Sequence, residues 1–146
     1  MAKKLARSAK AKGITFLLND HWQFVKEAGA DGVHLGWDDL KGMPLTKIRR
    51  AIGGDKLIGL SAQTLNEAKR VARMAPDYIG FGPVFATPIK SGVKPAGLTV
   101  LRRVIKSVKI PIVAIGGINR TNINKIKEAG CQRYAAIRGL TQLRAN

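Results

Sequence analysis

The chain has 146 residues, 45% hydrophobic and 24% charged, a balance that suits one globular domain with a core of its own. No apolar run approaches the roughly 18 residues of a membrane span, and the single cysteine, Cys131, excludes an internal disulfide. The net charge is +17, from 26 Lys and Arg against 9 Asp and Glu, an excess that attracts nucleic acid, acidic membrane surfaces and phosphorylated ligands alike.

The first element is a basic helix, "AKKLARSAKAKG" (2–13), which has neither the long apolar stretch nor the cleavage site of a secretory signal. A cytoplasmic, reducing setting is therefore expected. Six β-rich runs follow: "ITFLL" (14–18), "GVHLG" (32–36), "LIGLS" (57–61), "YIGFG" (78–82), "IPIVAIG" (110–116) and "RYAAIRG" (133–139). Between them stand segments with helical spacing: "HWQFVKEAG", "LTKIRRAIG", "LNEAKRVARMA", "LTVLRRVIKSV" and "NINKIKEAG". Several end on glycine, the usual helix stop. The strands lack polar alternation, as parallel strands buried on both faces do. Strand and helix in alternation mean βαβ units with right-handed crossovers. The junctions "AGADGVHLG", "MAPDYIGFG" and "AGCQRYAAIRG" echo one another as weak repeats of one unit. The expected fold is a single α/β domain over residues 1–146, a (β/α)8 TIM-barrel with about six of its units, the first two strands missing and the last helix shortened.

In such barrels the reactive groups stand just past the C-terminal ends of the strands. There the chain places Asn19 and Asp20, then Asp38 and Asp39 in "GWDDL", then Ser61, then Thr87 and Lys90 in "FATPIK", then "GGIN" with Gly117. Two carboxylates can share a hard cation such as Mg²⁺, whose remaining ligands are often phosphate oxygens. Lysine and threonine bind phosphate, and glycines at a strand-to-helix turn free backbone N–H groups for an anion. Each signal has a plainer reading: an aspartate before a turn caps a helix, Gly-Gly is a tight turn, and a lone lysine is solvated. Their shared placement favours a phosphate and metal site. His34 sits within an apolar strand and reads as a hydrogen-bonded core histidine, His21 as exposed. Trp22, Phe24 and Val25 read as helix packing, and Trp37 could line the mouth. Cys131 has no zinc-like partners at the required spacing.

The ordered set "LLND", "AGADGVHLG" with "DDL", "IGLS", "DYIGFGPVFATPIK" and "IPIVAIGGIN" resembles the thiamine-phosphate synthase and thiazole tautomerase family, over residues 5 to 140. The resemblance implies a TIM barrel. It implies transfer of a hydroxymethylpyrimidine group from its diphosphate to a thiazole phosphate, giving thiamine phosphate and pyrophosphate. The diphosphate leaves first and the thiazole nitrogen attacks the pyrimidine cation, so the demand is charge stabilisation rather than acid–base work. On the family pattern Asp20 and Asp39 match the magnesium ligands. Asn19 and Ser61 match groups that hold the diphosphate or pyrimidine, Lys90 matches the loop lysine that reaches the diphosphate, and Thr87 and the backbone of Gly117 match contacts to the thiazole phosphate.

The departures are specific. The family's "Q-x-R-x-K" segment, with the first two strands, has no counterpart. "TPIK" puts Ile89 where the family has a hydroxyl donor, and Arg138 replaces a serine in the last strand. Gln63 replaces the histidine that a tautomerase needs. A catalytically degenerate relative that binds a polyanion or an assembly is thus the alternative. The basic residues are spread over several helices, so a solvated surface is favoured over a nucleic-acid face. An open parallel sheet exposes an edge, and self-association or pairing with the missing N-terminal portion is expected. No membrane partner is expected.

Overall fold

The structure, a computed structural model, describes residues 1–40, 42–90 and 92–137, the side chains of Asp38 and Lys90 excepted. The chain divides into two compact units, Met1–Leu60 and Ser61–Asn146. The first holds helix α1 (Ala2–Ala11), strand β1 (Leu17–Asn19), a 3-10 turn (Trp22–Phe24) running into α2 (Val25–Ala28), and β2 (Gly32–Leu35). A second 3-10 turn (Asp38–Leu40), α3 (Leu45–Ile52) and most of β3 (Leu57–Ala62) complete it. The second unit takes the last two residues of β3, then α4 (Leu65–Ala72), β4 (Tyr78–Phe81), a 3-10 turn (Pro88–Lys90), α5 (Gly97–Ser107), β5 (Ile112–Ala114), α6 (Ile123–Glu128) and β6 (Arg133–Tyr134).

Every described strand pairing is parallel, and the strands follow one another in chain order. In the first unit Leu17 pairs with Gly32 and Gly32 with Leu57; in the second Ile79 pairs with Ile112 and Val113 with Arg133. The apolar runs explain this. Val33, Leu35, Ile58 and Leu60 are buried in the first unit, and Ile79, Phe81 and Ala114 in the second. Each fully buried Val, Leu, Ile or Phe contributes about 1.5–3 kcal/mol, and strands and helices share that burial: Ile48, Val71, Leu101 and Ile126 of the helices are as fully buried as the strand residues. The helices add a stripe each: Leu45, Ile48 and Ile52 of α3 face inward, as do Leu101 and Val104 of α5. Their cations are exposed except Arg49, half-buried and donating to the Lys56 carbonyl (2.8 Å), and no charged residue is fully buried among the described residues.

Asp31 organises the start of the first sheet. Its carboxylate accepts from the Phe16 N–H (2.8 Å), its N–H donates to the Phe16 carbonyl (2.8 Å), and its own carbonyl accepts from Leu57 (2.9 Å). One residue thus ties together the chain leading into β1, β2 and β3. Gly32 follows because a Cβ there would lie 2.0 Å from the Leu57 carbonyl oxygen.

Four sequence readings need correction. The strand expected over 14–18 is confined to Leu17–Asn19, because β2 begins at Gly32 and offers Ile14 and Thr15 no partner; both are exposed. Phe24 does not pack: the 3-10 turn before α2 carries it outward to 53% exposure while Val25 is fully buried. The helix expected over 21–29 is accordingly a short helix entered through that turn. The last strand is described only at Arg133–Tyr134, and Arg138 lies outside the described residues.

Candidate active site

In the first unit the candidate residues meet. β1 ends at Asn19, and the Asp20 N–H continues the ladder by donating to the His34 carbonyl of β2 (2.8 Å). The chain then turns sharply: Asp20 has φ 65°, a left-handed conformation that aspartate tolerates better than most residues. The His21 N–H donates to the Asn19 carbonyl (2.8 Å) and closes the turn. This geometry lifts the Asp20 carboxyl off the strand end. There it takes a hydrogen bond from the Asn19 side-chain amide (2.5 Å) and makes a carboxyl–carboxylate hydrogen bond with Asp39.

Asp39 is placed by the loop after β2. Its Oδ2 accepts from the Gly36 N–H (2.7 Å), so the carboxylate, itself within the 3-10 turn, reaches back to the chain that leaves β2. Gly36 is required for this close approach, since a Cβ there would stand 2.8 Å from the same oxygen. The same carboxylate holds the Gly36 N–H and faces a second carboxyl. The electrostatics register the pairing. The Asp20 carboxyl is held above its ordinary value of 3.8, first by partial desolvation and then by the hydrogen bond and negative charge of Asp39; Asn19 and His21 oppose the shift. Two acidic groups this close share a proton or a cation. His34, half-buried on β2, receives the Asp20 N–H on its backbone carbonyl, and exposed His21 stacks edge-on against Phe24 at 6.3 Å.

In the second unit the remaining candidates also follow strand ends. Ser61 lies half-buried near the end of β3. Behind it Thr64 and Glu67 form a capping box at the start of α4: the Thr64 hydroxyl accepts from the Glu67 N–H (3.1 Å) and Glu67 Oε2 from the Gln63 N–H (2.7 Å). Gln63 thus uses its backbone here, and its side chain is exposed. The loop after β4 is locked to the loop after β5. The Val84 N–H donates to the Ile115 carbonyl (2.9 Å) and the Phe85 N–H to that of Gly116 (3.1 Å). Gly82, Gly116 and Gly117 make this approach possible; a Cβ on each would fall within 2.5 Å of Ile115, Pro83 or Ala86 respectively. Thr87, half-buried, accepts weakly from the Ile89 N–H (3.4 Å), and Lys90 closes the turn Pro88–Lys90.

Sequence reasoning missed the supports of "GGIN". Asn122 accepts from the Asn119 N–H (2.9 Å) and donates to the Gly117 carbonyl (2.9 Å), while Asn119 Oδ1 receives both the N–H (2.9 Å) and the hydroxyl (2.7 Å) of Thr121. The spacing of two asparagines three residues apart, with a threonine between, was the available signal. Cys131 is buried with its thiol directed at the Ile112 and Arg133 carbonyls (3.6 and 3.1 Å) and serves packing. Among the described residues no group of three His, Cys, Asp or Glu converges, so a cation here would rest on the Asp20–Asp39 pair and on ligands from outside the chain.

The class of the protein follows from comparison. A thiamine phosphate pyrophosphorylase from Pyrococcus furiosus superposes with a TM-score of 0.81 at 34% identity, covering 93% of this chain and 63% of that one. A 3-hexulose-6-phosphate synthase shares the fold alone, with a TM-score of 0.65 at 15% identity. The architecture is thus an α/β fold of the TIM-barrel kind, with six parallel strands.

The family is equally plain: the thiamine monophosphate synthase profile matches residues 1–140, and the chain belongs to that family. The thiamine-phosphate synthase of Syntrophomonas wolfei is 42% identical over 141 residues, 96% of this chain and 66% of the relative. That of Shouchella clausii is 42% identical over 137 residues, 93% of this chain and 64% of the relative. The chain spans about two thirds of the length of these relatives.

Proposed function

We propose that the chain carries the site of a thiamine-phosphate synthase: transfer of hydroxymethylpyrimidine from its diphosphate to a thiazole phosphate. In this reaction the bond from the pyrimidine methylene carbon to the diphosphate oxygen breaks, and a bond from that carbon to the thiazole nitrogen forms. The electron pair of the broken bond leaves on pyrophosphate. The observation that carries the reading is the Asp20–Asp39 carboxyl pair, set by a left-handed turn and a glycine N–H at the strand ends. Family membership supports it.

The two carboxyls fit a hard divalent cation, because both are oxygen donors, they already face each other, and partial desolvation together with the charge of Asp39 makes a bare negative charge on Asp20 less favourable than on a free aspartate. Asp20 and Asp39 are the residues that would hold Mg²⁺, and bound there it would neutralise charge on the departing diphosphate. Asn19 steadies the Asp20 carboxylate by its amide and keeps it aimed. On the family pattern Lys90 and Ser61 would meet the diphosphate and pyrimidine, and Thr87 and the Gly117 N–H the thiazole phosphate; their positions after strand ends are compatible with those roles. The proposed substrates are phosphorylated small molecules, and the proposed setting is the cytoplasm. No described helix is long and apolar enough to cross a membrane.

The test is release of pyrophosphate from the two precursors with magnesium present, for the chain alone and with the remaining third of a relative supplied in trans. Asp20→Asn and Asp39→Asn are each expected to lower the rate by roughly 100-fold, about 2.7 kcal/mol. A silent protein in both formats rejects the reading. A second reading, a catalytically silent relative, draws on Ile89: it stands 57% exposed in the turn where a hydroxyl donor is expected. Recovery of release by Ile89→Thr in an otherwise silent chain separates the two.

A further inference from the structure

A cavity of about 450 Å³ opens between α1 and α2, lined by Lys3, Arg7, Lys10, Lys26, Glu27 and a floor of Ala6, Ala28 and Gly29. None of Asn19, Asp20, Gly36 or Asp39 lines it. Lys3, Arg7 and Lys10 follow the i, i+4, i+7 spacing that keeps side chains on one face of a helix, so they form a cationic row about 10 Å long. Lys26 faces the same space from α2. The one acidic group, Glu27, is spent on Lys3 at 3.1 Å, which leaves Arg7, Lys10 and Lys26 as the uncompensated charge of the groove. The floor is small because α1 approaches α2 through Ala6 and Ala28, both buried.

We propose that this groove is a docking surface for the phosphate backbone of a single nucleic-acid strand. Arg7 and Lys10 along α1, with Lys26 across from them on α2, put three positive charges around one groove, where they can meet phosphates of an extended strand, and the net charge of +17 steers any polyanion toward the chain. No aromatic side chain lines the groove, so bases have no platform to stack on and the attraction rests on the phosphates, which carry no sequence information. An anionic membrane is the poorer match. A membrane surface is met by apolar side chains on a convex face, whereas this site is concave and floored by alanine and glycine.

The experiment titrates a fluorescein-labelled oligo-thymidylate of about 20 nucleotides into the chain at several salt concentrations, following anisotropy. Three released charges give a slope of log affinity on log salt of about −2 for a single strand. Arg7→Gln/Lys10→Gln/Lys26→Gln is expected to abolish most of that slope and to weaken binding at least 10-fold at low salt. The matched variant Arg102→Gln/Arg103→Gln/Lys106→Gln on α5 removes the same charge elsewhere and is expected to change affinity by less than about 3-fold. Glu27→Gln adds no new group and frees Lys3; it is expected to tighten binding several-fold, which Asp55→Asn does not do. Equal losses in the groove and α5 variants, or no effect of Glu27→Gln, overturn the proposal. So does capture by phosphatidylserine vesicles, with the oligonucleotide left unbound.

Discussion

Asp20 combines three burdens in one residue. It sits at φ 65°, it faces Asp39, and its carboxyl is held above the ordinary 3.8 by desolvation and by that neighbour. The sign of the consequence is clear. A raised folded-state pKa means the stabilisation from the shared proton is fully present below the unfolded value and is lost as pH rises through the folded one. At neutral pH the pair is a net repulsion in the absence of a cation. Asp20→Asn keeps the shape and the tolerance of a left-handed turn, and it is expected to raise Tm at pH 7 by about 1–3 °C. The gain should shrink as pH falls toward 4, and magnesium, which should raise Tm in the parent chain, should have no effect on the variant. Thermal scans across pH, with and without magnesium, check both. Ala75 makes the opposite case. It occupies φ 53° after α4 with no side-chain chemistry to justify it. Ala75→Gly is expected to stabilise by up to about 1 kcal/mol, read as a shift of the urea midpoint at constant slope, because the left-handed strain exceeds the entropy that glycine adds to the unfolded chain. In the sequence, "LLND" and "DDL" marked the two carboxyls, since polar residues after apolar strands are conspicuous. That the two could share a cation was legible in their placement and the family pattern; the direct hydrogen bond between them was not, because it depends on a backbone angle at Asp20 and on the N–H of Gly36.

The βα alternation was readable because strands buried on both faces leave unbroken apolar runs and because helices stop at glycine. Where the reading erred, tertiary partners decided. Ile14 and Thr15 have the composition of a strand but no neighbour to pair with, and a 3-10 turn displaced the start of α2 and expelled Phe24. The loops after β4 and β5 show a constraint of another kind. "FGPVF" and "IGGIN" are far apart in the chain, yet their backbones touch, with a Cβ on Gly116 set to fall 2.5 Å from Pro83 and its φ at 87°. Neither element can shift without the other, so Thr87 and the turn Pro88–Lys90 rest on a doubly anchored base. Gly116→Ala is expected to cost about 2–4 kcal/mol, from the positive φ and the overpacking together. Denaturant unfolding measures it. Gly130→Ala, with φ 88° but nothing within 4 Å of a new Cβ, should lose only the smaller, conformational part. Equal losses at the two positions count against the interlock.

The charge carries a consequence for the stability of the entire chain. Twenty-six cations face nine carboxylates, and no charged group is buried among the described residues. The described ion pairs, Lys3 with Glu27 and Lys56 with Asp55, are exposed or partly so, and exposed pairs contribute only about 0–1 kcal/mol each. The balance is therefore repulsion among lysines and arginines spread over α1, α3, α4, α5 and α6, and the folded chain concentrates it relative to the unfolded one. Salt weakens such repulsion: the screening length falls from about 30 Å at 0.01 M to about 8 Å at 0.15 M. Sodium chloride over this range is expected to raise Tm by a few degrees, with chloride and acetate acting alike because the effect is one of ionic strength. The direction separates this from the Asp20–Asp39 pair, which a divalent cation should stabilise at millimolar concentrations where a monovalent salt does little. If Tm instead falls as sodium chloride is added, attractive pairs outweigh the excess positive charge, and the surface is organised rather than merely solvated. In that event the groove variant Arg7→Gln/Lys10→Gln/Lys26→Gln should lower Tm at low salt, whereas relief of repulsion requires that it raise it.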